Sequence, residues 1–280
     1  MAKKLLPLLP EHHTYVEPFA GGCSLLFAKQ PARVEVINDL DSGLVNFYRV
    51  LRHPGKFRRF RRLAALTPYS REEYNLYRRT WPHAGSDVIR AYRWYVVARM
   101  SFSGRFGAGW AFEIRNPDCR MASSVLRWLS GVAMLPAIHE RIQSLEIEHS
   151  DWRYILGQYD TPETLFYCDP PYITDTRRGG RYAHELTDDD HRELVTRLLA
   201  LEGMAVLSGY AHAIYEPLEA AGWQRTDFAT VCHAAGRTQR SAMKGDGAIL
   251  KYQKRTESVW LSPGAQQQTD AQRQLSFLFA

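Results

Sequence analysis

Apolar positions recur along this chain at two spacings. Compact β-prone runs stand at Thr14-Tyr15-Val16, Val34-Glu35-Val36-Ile37, Ser144 to Glu148, Leu165 to Cys168 and Met204 to Ser208. Each is bounded by polar or glycine-bearing turns, as strands are. Between them lie stretches whose apolar residues fall three and four apart, the spacing of one helix face. Asp41 to Leu51 is the clearest, with Leu44, Val45, Tyr48 and Leu51 on one side. Gly55 to Leu66, Ser70 to Arg79 and Asp87 to Met100 follow, the last carrying Val88, Tyr92, Tyr95 and Arg99 in register. Ser70 with Glu73 three residues on reads as a capping box. Asp151-Trp152 opens a helix, Thr187 caps one running to about Leu201, and Ala213 to Ala221 forms another. A helical stretch is also expected at Leu25 to Ala28. Ser101 to Trp110 is too rich in glycine for a helix and reads as a loop or hairpin presenting aromatics and arginines. Gln224 to Cys232 and Thr256 to Leu261 form a final antiparallel pair. Strands alternating with helices imply an α/β fold with a mostly parallel, helix-covered sheet.

Charge changes this picture in one region. The chain has 280 residues and a net charge of +6, but residues 52 to 130 hold 16 Lys/Arg against 5 Asp/Glu, a local balance of +11. A basic helical block inside a mildly acidic body suits a polyanion, nucleic acid above all. No apolar run is long enough for a membrane span. The start, Met1 to Pro10, is basic then apolar, interrupted by Pro7 and Pro10, and reads as a short amphipathic helix. The four cysteines (Cys23, Cys119, Cys168 and Cys232) are scattered without a Cys-x-x-Cys pair. That spacing speaks against a zinc site and suits a reducing cytoplasm.

Two segments carry candidate chemistry. Behind the apolar run Leu165-Phe166-Tyr167-Cys168 stands Asp169-Pro170-Pro171-Tyr172. The Asp carboxylate can accept a hydrogen bond from an amino group. The prolines fix the turn and leave carbonyls unpaired, and the Tyr ring can stack on a planar base. Near the amino terminus Thr14-Tyr15-Val16 leads into Glu17-Pro18-Phe19-Ala20-Gly21-Gly22, and the next strand ends in Asn38-Asp39. Glycines there allow close backbone approach to a ligand, and an acid at the end of a second strand is suited to ribose hydroxyls.

In order and spacing, Glu17 to Gly22, Asn38-Asp39 and Asp169 to Tyr172 resemble the Dam-type DNA adenine methyltransferases. The resemblance extends from about residue 3 to 262. It implies a Rossmann-like, seven-stranded methyltransferase sheet with an inserted helical recognition domain. The expected division is a catalytic domain at 1–51 and 131–262, a DNA-binding insert at 52–130 and a flexible tail at 263–280. It also implies S-adenosylmethionine as cofactor, held by Glu17, Pro18, Phe19, Ala20, Gly21, Gly22, Asp39 and Asp169. Asp151, at a strand end where relatives touch the cofactor's adenine, reads equally well as a helix N-cap. The substrate implied is adenine flipped out of double-stranded DNA. Asp169 and the Pro170 carbonyl would take its amino group, within the turn completed by Pro171, and Tyr172 its face. No metal is needed. Cytosine-amino enzymes more often carry Ser where Asp169 stands. Arg99 to Arg105 matches the family's recognition hairpin, with Ser101 and Ser103 where Asn is common, so Arg99, Ser101, Ser103 and Arg105 are expected at DNA. Arg58 is expected at phosphates. The loop Ile173 to His184, with Arg177 and Arg178, either closes over phosphates or is a solvated loop.

Two departures stand out. Family members begin with a Gly-Gly-Lys segment, and Met1-Ala2-Lys3-Lys4-Leu5 resembles the helix just after it; either the true start lies upstream or part of the pocket is lacking, and weak cofactor binding by these 280 residues is expected. The tail ends in Gln274-Leu275-Ser276-Phe277-Leu278-Phe279, which resembles peptides that dock on the bacterial sliding clamp. The alternatives are a non-catalytic DNA-binding homologue and a methyltransferase acting on RNA or a protein amide.

Overall fold

The structure is a computed structural model, described here for residues 1–113, 121–176, 182–232 and 253–269. A short helix, α1 (Ala2–Leu5), continues into a 3-10 turn at Leu6–Leu8. The first strands are β1 (Thr14–Glu17) and β2 (Val34–Asn38). Five helices follow: α2 (Ser42–Arg52), α3 (Pro54–Leu66), α4 (Arg71–Thr80), α5 (Asp87–Met100) and α6 (Ser123–Ile142). Then come β3 (Glu146–Glu148), α7 (Trp152–Gln158), β4 (Thr164–Cys168), α8 (Asp188–Leu199), β5 (Met204–Gly209), α9 (Glu216–Ala220), β6 (Gln224–Cys232) and β7 (Gln253–Leu261). The seven strands form one mixed sheet in the order β3-β2-β1-β4-β5-β7-β6, with β7 antiparallel to both neighbours. This is the methyltransferase arrangement the motifs implied. The chain divides into two compact units, residues 14–158 and residues 1–13 with 159–280.

In the first unit β1 and β2 run parallel, Thr14 opposite Val34 and Glu17 opposite Ile37, and β3 joins β2 on its other side. The helices α2 to α6 fill the connection between β2 and β3. Their centre is α5, buried at Val88, Ala91, Tyr92, Trp94, Tyr95, Val96, Val97 and Met100. A helix apolar on most of its faces has to be wrapped by others. The core around it is aromatic: Phe47 stacks on Tyr95 at 5.5 Å and meets Phe60 edge-on at 5.7 Å. α2 starts where Asp41 accepts from Gly43 N at 2.7 Å and Leu44 N at 3.3 Å. Gly43 has to be glycine, because a Cβ there would lie 2.4 Å from the Trp94 ring.

Two local expectations fail in this unit. Leu25 to Ala28 forms consecutive turns, not a helix: the apolar side chains Leu25 and Leu26 are buried, but the run has too few residues to propagate a helix. The twenty-residue α6 was not expected from the sequence at all. It contains the poor helix formers Gly131 and Pro136, and only Ser124, Trp128, Leu135 and Ile142 are buried along its narrow inner edge.

In the second unit β4 is buried at all five positions and pairs in parallel with β5, Leu165 opposite Met204. β7 lies between β5 and β6, pairing Val206 with Leu261 and Gln224 with Leu261. α8 begins with a complete capping box, Thr187 Oγ1 accepting from Asp190 N and Asp190 accepting from Thr187 N. The expected flexible tail begins instead as helix: residues 263–269 are helical, with Ala265 fully buried. Residues 270–280, including Gln274 to Phe279, lie outside the described residues, as do Arg177 and Arg178. Among the described residues no helix is long and apolar enough to cross a membrane, and no group of His, Cys, Asp or Glu is placed to hold a metal.

Candidate active site

The glycine loop after β1 is fixed from several directions. Gly21 adopts φ +47°, and Cys23 φ +49°. Gly21 N donates to Asp39 Oδ2 at 2.9 Å, and its carbonyl accepts from the Tyr48 hydroxyl at 2.9 Å. Ala20 N donates to the Asn38 carbonyl at 2.8 Å. Asp39 Oδ1 accepts from Asp41 N at 2.8 Å, so one carboxylate ties the loop to the start of α2. Asn38 bridges further, donating to the carbonyls of Pro18 (2.9 Å) and Ser150 (3.0 Å) and accepting from Ser150 N (2.8 Å). Cβ atoms at Gly21 and Gly22 would meet nothing within 4 Å, so this stretch of backbone borders open space. A rigid, exposed backbone shelf flanked by a carboxylate is what a nucleoside-bearing ligand needs.

The remaining residues expected at the cofactor divide by burial. Glu17 is 1% exposed, and its Oε1 accepts from the Tyr15 hydroxyl (2.8 Å) and Leu26 N (3.0 Å), which shapes the loop from beneath. Pro18 and Ala20 are buried in the loop, and Phe19 packs against Trp152 with ring centroids 5.9 Å apart. Asp151 takes the capping role: its Oδ1 accepts from Arg153 N at 2.8 Å, and it pairs with the Arg153 guanidinium at 3.2 Å. Cys23 is buried, and burial first and Glu17 second push its thiol well up.

The second constellation closes β4. Pro170 is buried and Asp169 reaches solvent. The protein around the Asp169 carboxyl, and then the negative Glu257, push it up to about 7, while the Tyr172 hydroxyl acts in the opposite direction. Tyr172 donates from its hydroxyl to Glu257 Oε1 at 3.0 Å and meets the Tyr210 ring edge-on at 4.9 Å. Behind the turn His191 is fully buried, 2.9 Å from the Tyr215 hydroxyl, and burial lowers it to about 4, so it is neutral at pH 7. The Pro171 backbone is among the groups acting on it. Sequence reasoning missed Glu257, Tyr210, His191 and Tyr215. All four stand in ordinary strand, loop and helix surroundings, and only the fold brings them to the turn.

The expected DNA residues also separate. Ser101 is 4% exposed, and its hydroxyl donates to the Val97 carbonyl (2.7 Å) and accepts from Gly107 N (2.9 Å), so it builds the hairpin from within. Arg99 is exposed and donates one guanidinium N–H to the Arg127 carbonyl at 2.7 Å, linking α5 to α6. Ser103, at φ +58°, and Arg105 are exposed at the hairpin, closed by Phe102 N on the Gly109 carbonyl at 2.7 Å. Arg58 is exposed on α3 beside Arg59, Arg61 and Arg62.

Comparison with known proteins agrees with this geometry. A type II methyltransferase, M1.LlaDCHI of Lactococcus lactis subsp. cremoris, is 28% identical over 201 residues, covering 65% of this chain and 67% of that protein. Residues 1–203 match the model of the D12 class N6 adenine-specific DNA methyltransferases, a span that includes the glycine loop, the helical region and the turn after β4. With the seven-stranded sheet and both constellations in family order, this chain belongs to the D12 class N6 adenine-specific DNA methyltransferases.

Proposed function

We propose that this protein moves a methyl group from S-adenosylmethionine to the exocyclic amino nitrogen of an adenine flipped out of double-stranded DNA, with the residue roles given below. The observation that carries the proposal is the Asp169-Pro170-Pro171-Tyr172 turn, an acid and an aromatic ring delivered by a fully buried strand. The cofactor, when bound, supplies a methyl group already activated on a sulfonium. The residues present fit it: Gly21 and Gly22 border open space, and the Asp39 carboxylate, which accepts from Gly21 N, lies beside that loop. In this reading Pro18 to Gly22 and Asp39 hold the cofactor, Glu17 sets the loop's shape, and Asp151 serves the start of α7.

Asp169 and the Pro170 carbonyl accept the two amino hydrogens of adenine and orient its nitrogen. Tyr172 stacks on the base. Positioning and aligned acceptors provide most of the acceleration, since no covalent enzyme intermediate is needed. The domain division proposed is a catalytic body of 1–51 and 131–262 and a DNA-binding insert of 52–130. Arg58 and its neighbours on α3 take phosphates, and Ser103 and Arg105 read bases in the groove. Clamp docking through Gln274 to Phe279 belongs to the same proposal, as does action in the cytoplasm; deleting 274–280 should abolish clamp pull-down and leave methylation intact.

The test is expression in a host without adenine methylation, followed by mapping of modified adenines across its DNA. A recurring methylated motif supports the reading and supplies the target sequence. A blank map from a well-expressed, folded chain contradicts it.

A further inference from the structure

Glu257 is an acid in the middle of β7, where the strand passes the Asp169 turn. Acids are depleted in strands, and a second negative charge beside Asp169 has an electrostatic cost. Yet Glu257 is half-buried and receives the Tyr172 hydroxyl at 3.0 Å. It is the residue next to Ser258, which pairs with Gly209 at the end of β5, and Tyr210 follows directly to hold the Tyr172 ring edge-on at 4.9 Å. The other polar groups about the turn are Ser208 on β5, Tyr167 and Cys168 on β4, and the His191–Tyr215 pair behind it. Tyr172, Cys168 and Tyr215 are all raised, burial first, and His191 is lowered by burial, so at neutral pH all four are uncharged.

A phenol has one proton to donate. Two carboxylates compete for it: the hydroxyl also acts on Asp169, lowering its carboxyl, but the hydrogen bond at 3.0 Å is to Glu257. We infer that Glu257 is a positioning residue for methyl transfer: by accepting the Tyr172 hydrogen bond it fixes the ring and draws the hydroxyl away from Asp169, leaving that carboxylate acceptor capacity for the substrate amino group. This rests on the proposed roles of Asp169 and Tyr172. Its second consequence is electrostatic. The negative Glu257 makes Asp169 a stronger proton acceptor, with its midpoint near pH 7.

Two substitutions separate these effects. Glu257→Gln removes the charge and keeps an oxygen that accepts from Tyr172. Glu257→Leu removes both, and frees the hydroxyl to turn to Asp169. The midpoint of Asp169 is read by carbon-13 carboxyl NMR on the free protein, assigned with Asp169→Asn, and turnover is read as the acid limb of kcat/KM, which reports the free enzyme. Glu257→Gln should lower the midpoint by about half a pH unit or more with plateau turnover within about threefold of the parent. Glu257→Leu should lower the midpoint further and cut plateau turnover about tenfold or more. Adding Tyr172→Phe to Glu257→Leu should recover part of that loss, because the competing hydroxyl is gone. The inference is overturned if the NMR midpoint is unmoved in both variants, or if Tyr172→Phe deepens the loss in Glu257→Leu. The NMR readout needs no activity, so a protein that titrates as described but methylates nothing contradicts the proposed function and leaves this electrostatic arrangement standing.

Discussion

Asp39 and Asp169 each follow the end of a parallel strand, and the protein treats them in opposite ways. Asp39 is committed to backbone: Gly21 N and Asp41 N each donate to one of its oxygens. Asp169 is left exposed, crowded by protein and by Glu257, with its carboxyl raised to about 7. The first carboxylate holds a loop in shape, and the second stands in surroundings that favour its protonated form. A group that must accept from a substrate cannot already be saturated by its own fold. The difference between the two acids therefore separates a residue that builds a site from one that acts in it.

The sharpest way to break the comparison is to neutralise each acid. Asp169→Asn should reduce methyl transfer by about a thousandfold while leaving cofactor affinity near that of the parent, as measured by single-turnover transfer and calorimetry. Its stability should move the other way. A carboxyl raised in the folded protein favours the fold at low pH and works against it as pH rises from the ordinary carboxylate range through about 7. The Asn variant should thus melt at or above the parent at pH 8, with the advantage gone below pH 4. Asp39→Ala should do the reverse: loss of two charge-assisted backbone bonds should cost about 2 kcal/mol of stability and weaken cofactor binding about tenfold or more. A Gly21→Ala change, at φ +47°, should cost about 1 kcal/mol from backbone alone.

The hairpin repeats the comparison with weaker effects. Ser101→Ala should destabilise by about 1 kcal/mol, since half-buried Gly107 N loses its acceptor, whereas Ser103→Ala should leave the melting temperature unchanged. Arg105→Ala should relax sequence choice, and Arg58→Ala should weaken all DNA alike and lower the salt slope by about one. Equal losses on cognate and random DNA for both arginine variants would defeat that division.

Much of this molecule was legible in its sequence because its signals are local. Asp87–Met100 matches α5 residue for residue, and the Ser70 and Thr187 caps lie where their polar side chains required. The capping box at Ser70 is present by its first half, Ser70 Oγ accepting from Glu73 N at 3.4 Å. The tetrapeptide after β4 and the glycine loop were visible as well, since turn chemistry is written in consecutive residues. What stayed hidden depends on distant partners. α6 carries a proline and a narrow buried edge, and its register is set by contacts such as Arg99 on Arg127. Ser101 and Ser103 are two residues apart and alike in type, yet one is buried and the other exposed. Glu257 is 85 residues from Tyr172, and nothing near it in sequence announces the contact.

The most direct test of the central claim is methyl transfer from labelled S-adenosylmethionine to adenine in DNA by the purified chain and by Asp169→Asn, both at saturating cofactor. The expected result is N6-methyladenine from the parent, with the Asn variant binding cofactor and DNA but transferring about a thousandfold more slowly. Transfer by Asp169→Asn at the parent's rate, or none by a parent that binds both ligands, would contradict the account.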